Sequence, residues 1–145
     1  MATERLMGLD IGSRRIGVAI GDELGIVATP VGFVQPGPSD RTAFADLVRR
    51  HGITRLVVGF PRSMSGKEGP QAKEVRSYAT ALAADLEVPL TFWDERLTTV
   101  IAERSLISGG RTRQQRKGEI DAAAAAVMLQ GYLDHQAMQR RREGV

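Results

Sequence analysis

The stretch MGLDIGSRRIGVAIGD, residues Met7 to Asp22, is the most informative part of this sequence for the fold. Two runs rich in β-branched residues predict strands over Arg5–Ile11 and Arg15–Asp22. The Gly-Ser-Arg segment between them is typical of a tight turn, so we expect an antiparallel hairpin.

Asp10 is the one carboxylate in the first strand. An unpaired carboxylate is costly to bury, so Asp10 must be hydrogen-bonded, paired with a cation or bound to a metal.

The rest of the chain alternates between strand and helix patterns. Three strands in a meander, followed by strands separated by helices, are typical of a mixed sheet covered by helices. Right-handed crossovers place the first, fourth and fifth strands side by side and parallel, and their carboxyl ends open on one edge of the sheet, where ligands bind. Because proline has no N–H to donate within a sheet, Pro30 predicts that the third strand lies at a sheet edge or contains a bulge. The further predicted strands are Ile26–Val34, Ile53–Pro61 and Val88–Glu95, and the predicted helices are Arg41–His51, Pro70–Leu86, Thr98–Ile107 and Glu119–Gln139, with a loop over Ser108–Arg116.

The composition is that of a soluble globular protein. The 145 residues, 42% hydrophobic and 26% charged, predict a single α/β domain over residues 1–139 and a disordered basic tail over 140–145. The absence of cysteine excludes disulfides, thiolate nucleophiles and cysteine-based metal sites. No signal-peptide pattern and no apolar run of about 18 residues is present, so we expect a cytoplasmic protein without membrane contact.

Acidic residues far apart in the sequence are predicted to meet at the carboxyl edge of the sheet. Asp10 lies near the carboxyl end of the first strand, Asp94 and Glu95 lie at the carboxyl end of the fifth, and Asp121 is predicted in the first turn of the last helix. Strand alternation puts Asp94 and Glu95 on opposite faces, so one of them enters the site; Glu95 is preferred and Asp94 is the alternative. Oxygen ligands suit Mg²⁺ or Mn²⁺, and two such ions can assist phosphodiester hydrolysis.

Each acid also has a purely structural interpretation. Asp10 could cap the following turn through the backbone of Gly12 or Ser13. Asp94 and Glu95 could form ion pairs with the arginines that follow them. Asp121 would be favoured by the helix macrodipole in a first turn, although the alanines after it allow close packing that brings it toward the sheet.

Basic residues surround these acids in the sequence. The formal net charge is only +3, but the segment from Arg96 to Lys117 is strongly basic. GFPRSMSGKEG, at 59–69, lacks P-loop spacing but could bind phosphates through its backbone and basic side chains. A solvated loop and an ordinary helix surface are the alternative to a nucleic-acid surface. The candidate phosphate contacts are Arg14, Arg62, Lys67, Arg96, Arg113 and Lys117.

Small residues leave one face of the second strand nearly bare. Gly17, Ala19 and Gly21 share that face, which admits either a packed helix or a substrate backbone, and packing is the more common cause. Trp93 is expected in the core, with base stacking as its alternative. His51 and His135 are expected to be structural.

Four blocks in order resemble the YqgF/RuvX family: LDIGSRRIGVAIGD, VVGFPRSMSGKEG, FWDERLTT and KGEIDAAAAAVMLQ. These RNase H-like proteins are called pre-16S rRNA nucleases or Holliday junction resolvase-like proteins, and the resemblance covers nearly the whole chain. It implies a ribonuclease H-like fold with a five-stranded mixed sheet flanked by helices, a metal-dependent nuclease site and a role in ribosomal RNA maturation. It carries over Asp10, Glu95 and Asp121 as catalytic metal ligands. Many members of the broader superfamily draw an acid from the fourth strand, which here ends in Gly-Phe-Pro, so the number of metals stays open.

The resemblance favours a nuclease of pre-16S rRNA that uses Mg²⁺ or Mn²⁺. The alternatives are a DNA nuclease resembling Holliday junction resolvases, which would require a homodimer, and a non-catalytic RNA-binding module of ribosome assembly. Branched or single-stranded DNA are alternative partners to RNA. A phosphotransferase related to sugar kinases is a further class, although such enzymes use two domains of this kind around ATP.

Overall fold

The computed structural model of the chain describes residues 4–60, 69–94 and 113–143, with side chains in the last range from Gly118 onward. Within these ranges the chain forms strands and helices in the predicted alternation. They are β1 (Leu6–Ile11), β2 (Ile16–Gly21), β3 (Ala28–Val34), α1 (Asp40–His51), β4 (Arg55–Phe60), α2 (Pro70–Leu86), β5 (Leu90–Asp94) and α3 (Arg113–Arg142). The predicted helix Thr98–Ile107 lies outside the described residues.

The strands form one mixed sheet in the order β3-β2-β1-β4-β5. The pairs β1–β2 and β2–β3 are antiparallel, whereas β1–β4 and β4–β5 are parallel, as the sequence predicted. The turn between β1 and β2 is closed by a hydrogen bond of 2.9 Å from the Gly12 N–H to the Arg15 carbonyl. Pro30 lies in the edge strand β3, next to a register shift between Val18 and Ala19 of β2. The carboxyl ends of β1, β4 and β5 therefore share one edge of the sheet.

Helices cover both faces of the sheet, because alternate residues of the central strands are apolar on both sides. Helices α1 and α2 bury one face over a cluster that includes Leu9, Val18, Phe44, Leu56 and Leu82. Helix α3 packs on the other face over a second cluster: Leu6, Ala19, Val57, Ala125, Met128, Leu129, Tyr132 and Leu133. Among the described helices, none has both the length and the apolar character required to cross a membrane.

Helix α3 is longer than the sequence predicted at both ends. It begins at Arg113 rather than near Glu119, so 113–116 are helical and not part of a loop. Gly118 does not interrupt it: a Cβ atom there would lie 2.8 Å from the Phe33 ring, so the missing side chain makes room for that ring. The helix also continues through Arg142, into the segment predicted as a disordered tail. Basic side chains are favourable in a last helical turn because they face the negative end of the macrodipole.

Candidate active site

The site is built where α3 crosses β2 at Gly17. A Cβ atom at Gly17 would overlap the carbonyl group of Asp121, so only glycine allows the helix backbone to come this close to the strand. Gly8 of β1 has a related role, because a Cβ there would lie 2.9 Å from the Leu129 Cβ. The bare face of β2 is thus filled by a helix, which is the more common of the two predicted causes.

Asp10 lies beside this contact. Asp10 and Gly17 are directly paired across the antiparallel ladder of β1 and β2. Residues paired in this way share a face of the sheet, and Gly17 presents its open side to Asp121. The structure therefore brings Asp10 and Asp121, which are distant in sequence, to the same glycine on the α3 face.

Arg15 is the basic residue of this site, and the sequence analysis missed it. Its Nε donates a hydrogen bond of 2.6 Å to Oδ2 of Asp121, in an ion pair whose side chains are 23% and 26% exposed. Arg15 precedes Gly17 by two positions, so it projects to the same face by strand alternation. The alternation that makes one face of β2 bare, extended two positions before Gly17, could have identified Arg15 from the sequence. The sequence pointed instead to the adjacent Arg14, which is exposed in the turn.

The structure changes the interpretation of Asp121. Because α3 begins at Arg113, Asp121 lies inside the helix rather than in its first turn. The macrodipole acts mainly on the terminal turn and does not account for an acid at this position. The ion pair with Arg15 and the backbone contact with Gly17 are specific to Asp121 and tie it to the strand edge.

Asp94 lies on the other side of the sheet. It pairs with Phe60 in the parallel ladder of β4 and β5, and it alternates with Trp93. The Trp93 ring packs against Tyr132 and His135 of α3, with ring centroids 5.5 and 5.1 Å apart, as expected for a structural tryptophan. Asp94 therefore shares the α1–α2 face with Phe92.

Several predicted site residues lie outside the described residues. Glu95, Arg62, Lys67 and Arg96 belong to this group. Arg113 and Lys117 are placed by their backbone in the first turns of α3, before Asp121.

The donor set at this edge fits a hard divalent cation. Asp10 and Asp121 supply carboxylate oxygens on one face, which Mg²⁺ and Mn²⁺ prefer. Within residues 4–60, 69–94 and 113–143, no three His, Cys, Asp or Glu side chains are grouped closely enough to hold a metal ion. The third predicted ligand, Glu95, is the residue that follows β5.

Comparison with known proteins identifies the family. The family model described as RuvX, Holliday junction resolvase, matches residues 4–135. The chain belongs to the RuvX family. Its RuvX relatives include a protein of Moorella thermoacetica that is 47% identical over 132 residues, covering 90% of this chain and 94% of the relative. A Bacillus subtilis relative is 39% identical over 134 residues, covering 90% and 97%. Both carry the name "Putative pre-16S rRNA nuclease", which describes a hydrolase of ester bonds.

A solved structure confirms the predicted fold class. The Fowlpox virus resolvase, determined with Holliday junction DNA, superposes with a TM-score of 0.54 at 9% identity, covering 91% of this chain and 98% of that one. At such low identity the likeness concerns the fold alone. The RuvX chain thus has the ribonuclease H-like architecture, a five-stranded mixed sheet flanked by helices.

Proposed function

We propose that this chain is a nuclease that uses Mg²⁺ or Mn²⁺ to hydrolyse phosphodiester bonds, and that it processes the 5′ end of pre-16S rRNA in the cytoplasm. The names of its RuvX relatives support both the nuclease reaction and pre-16S rRNA as the substrate. The observation that carries the proposal is the placement of Asp10 and Asp121 beside Gly17, at the carboxyl edge of the sheet. Carboxylates on adjoining elements at such an edge are suited to holding a divalent cation.

Asp10 and Asp121 would hold the metal, with Glu95 as the third ligand. When bound, the metal would activate a water and stabilise the charge that develops on the departing oxygen. Asp121 is held in place by Arg15, whose guanidinium binds one of its two carboxylate oxygens. Such a partner orients a ligand before the substrate arrives.

The chain's basic residues would bind the substrate backbone. Arg14 is exposed in the turn after β1, directly before Arg15, the ion-pair partner of Asp121. Guanidinium groups match the oxygens of phosphates in a bidentate way, so Arg14 is suited to a phosphate beside the cleaved bond. The other proposed contacts to the phosphate backbone are Arg62, Lys67, Arg96, Arg113 and Lys117.

The test is cleavage of an RNA that spans the 5′ end of 16S rRNA, with and without Mg²⁺ or Mn²⁺. We expect metal-dependent cleavage that falls to the level of the reaction without enzyme in Asp10→Asn and in Asp121→Asn. The matched control is Asp134→Asn, which changes an exposed aspartate of the same helix and leaves cleavage unchanged. Cleavage that survives in both site variants would overturn the proposal. RNA binding without metal-dependent cleavage would favour a non-catalytic RNA-binding module.

A four-way DNA junction is the second candidate substrate, because the matching family model is described as a Holliday junction resolvase. Paired cuts in a junction need two sites, and hence a homodimer with two-fold symmetry. We would compare RNA and junction DNA in one cleavage assay and measure the mass of the protein in solution. Symmetric cuts by a dimer would favour the junction, and cleavage of the RNA by a monomer would favour rRNA processing.

A further inference from the structure

A cleft lies on the α1–α2 side of the sheet, next to the carboxyl end of β1. Its volume is about 510 Å³, within the range of small-molecule pockets of about 300–1,000 Å³. One wall is the face of α2 formed by residues spaced three and four apart, and the other is the β1–β2 turn with the loop before α1. The described lining residues are Ile11, Gly12, Ser13, Pro36, Gln71, Glu74, Val75 and Tyr78.

The cleft adjoins the proposed cleavage site without belonging to it. Ile11 lines the cleft and directly follows Asp10 in β1. Successive strand residues point to opposite faces, so the Asp10 carboxylate and the cleft lie on either side of the same sheet edge. A nucleic-acid strand that crosses this edge at Asp10 would therefore pass the mouth of the cleft.

A single buried carboxylate fixes both walls of the cleft. Asp40 is 6% exposed, and its Oδ2 accepts hydrogen bonds from the Tyr78 hydroxyl at 2.5 Å and from the Gly37 N–H at 3.3 Å. Tyr78 belongs to the α2 wall, and Gly37 follows Pro36 in the opposite wall. The Arg41 guanidinium lies over the Tyr78 ring, 5.1 Å from its centroid. The cleft is thus held open by contacts within the protein.

The ionisation states of this pair keep the arrangement intact near neutral pH. Burial alone would raise the pKa of Asp40, but the hydrogen bonds from Tyr78 and Gly37 and the charge of Arg41 hold that pKa below its ordinary value. Burial, together with the hydrogen bond to Asp40, raises the pKa of Tyr78. Asp40 therefore stays charged and Tyr78 stays a hydrogen-bond donor.

The chemistry of the lining suits a largely apolar ligand that is not an anion and that carries hydrogen-bond donors. Ile11, Pro36, Val75 and the Tyr78 ring supply apolar walls, and Glu74 is the one charged side chain among the described lining residues. A carboxylate repels a phosphate but accepts hydrogen bonds from the amino groups of bases. We propose that this cleft binds one unpaired nucleobase of the substrate strand, with Glu74 accepting hydrogen bonds from its Watson–Crick edge; this rests on the proposed nuclease function.

Glu74 also predicts which base is preferred. Guanine presents an imino N–H and an amino group side by side, which a carboxylate can accept together. Uracil presents one N–H between two carbonyl oxygens, which the carboxylate repels. A good bidentate pair discriminates by about fivefold or more, so guanosine should bind at this position at least about fivefold more tightly than uridine.

The experiment measures binding and needs no cleavage. A fluorescent ten-nucleotide RNA is titrated with the full chain in EDTA at fixed salt, and each position in turn carries guanosine, uridine or an abasic ribose. Loss of one base contact weakens binding by about fivefold or more. We expect one position at which the abasic RNA binds about fivefold more weakly than the guanosine RNA, with uridine close to abasic.

The matched variants are Glu74→Gln and Glu87→Gln. Both remove one negative charge from an exposed position, but Glu87 follows the other end of α2. Both variants should therefore gain a similar amount of RNA affinity from the lost negative charge. The measured quantity is the ratio of the affinity for the guanosine RNA to the affinity for the uridine RNA. We expect this ratio to fall toward one in Glu74→Gln only.

The outcomes separate this proposal from the nuclease itself. Equal affinities for guanosine, uridine and abasic RNAs at every position would overturn the nucleobase site, whether or not the protein cleaves RNA. The same base ratio in Glu74→Gln as in Glu87→Gln would overturn the role of Glu74. Base-dependent binding that Glu74→Gln removes, in a protein that fails to cleave any RNA, would support the base site and contradict the nuclease.

Discussion

Gly17 of β2 and Asp121 of α3 meet backbone to backbone, and a Cβ atom at position 17 would overlap the Asp121 carbonyl group. Asp10 is the ladder partner of Gly17, so this one contact sets the position of Asp121 relative to Asp10. A small residue in β2 thereby controls the geometry of two carboxylates on other elements.

Gly17→Ala should therefore disable the site. The new methyl group would push α3 away from β2, and we expect a loss of about 3 kcal/mol or more in the free energy of unfolding, since the obstacle is backbone that cannot rotate away. Cleavage should be lost with it. The measurements are urea unfolding followed by circular dichroism and the RNA cleavage assay.

Gly21→Ala is the control on the same strand and the same face. Its Cβ would lie 3.7 Å from the nearest atoms, an ordinary contact, so stability should change by no more than about 1 kcal/mol. Equal effects of the two substitutions would show that the close approach at Gly17 does not position α3.

Arg15→Gln should reduce cleavage more than it reduces stability. The ion pair with Asp121 is partly exposed, so its loss should cost about 1 kcal/mol of unfolding free energy. Removal of a residue that orients a metal ligand typically lowers activity about 10–100-fold. Arg15→Lys keeps the positive charge but lacks the planar guanidinium group, so its cleavage activity should lie between that of the unchanged protein and that of Arg15→Gln.

The variant Arg14→Gln distinguishes the role of Arg14 from that of Arg15. We expect it to weaken RNA affinity and to reduce the dependence of binding on salt, because Arg14 is proposed to contact a phosphate. Should Arg14→Gln and Arg15→Gln have the same effect on binding and cleavage, the proposed positioning role of Arg15 would be wrong.

The two acids at the end of β5 should differ in importance. Asp94 lies on the α1–α2 face through its pairing with Phe60, away from Asp10. We expect Glu95→Gln to abolish metal-dependent cleavage and Asp94→Asn to keep most of it. Mn²⁺ affinity, measured by calorimetry without RNA, should fall in Glu95→Gln only. The reverse result would assign the third ligand to Asp94.

Tyr78→Phe should destabilise the protein in a pH-dependent way. The folded-state pKa of Asp40 lies below about 3.8, its ordinary value, partly because of the Tyr78 hydrogen bond. A lowered carboxyl pKa contributes stability above the unfolded-state pKa and loses it as the pH falls through the folded-state pKa. We expect Tyr78→Phe to lose about 2 kcal/mol of unfolding free energy at pH 7, and clearly less below pH ~4.

Tyr132→Phe is the control for this measurement. Tyr132 is a buried tyrosine on the other face of the sheet, packed against Trp93. Urea unfolding at pH 7 and pH 3 should give a pH-dependent difference from the unchanged protein for Tyr78→Phe alone. A difference of the same size at both pH values would contradict the role of Asp40 ionisation.

The order of strands and helices could be predicted from the sequence because it depends on local patterns. Alternating and continuous apolar runs, with turns between them, predicted the mixed sheet and its parallel strands β1, β4 and β5. The ends of α3 could not be predicted in this way. The helix was predicted to begin near Glu119, just after Gly118, but the Phe33 ring that occupies the free space at Gly118 belongs to β3, distant in sequence.

The same division applies to the candidate site. The sequence by itself determined the acids, since a carboxylate within an apolar strand requires a partner whatever the fold around it. Only the tertiary structure decided that Asp121 forms an ion pair with Arg15 and does not lie at a helix end. It also decided that Asp94 lies on the face of the sheet away from Asp10. Side-chain partners across the sheet depend on the helix register and the approach distance. Those are set by packing at Gly17, between residues that no local pattern connects.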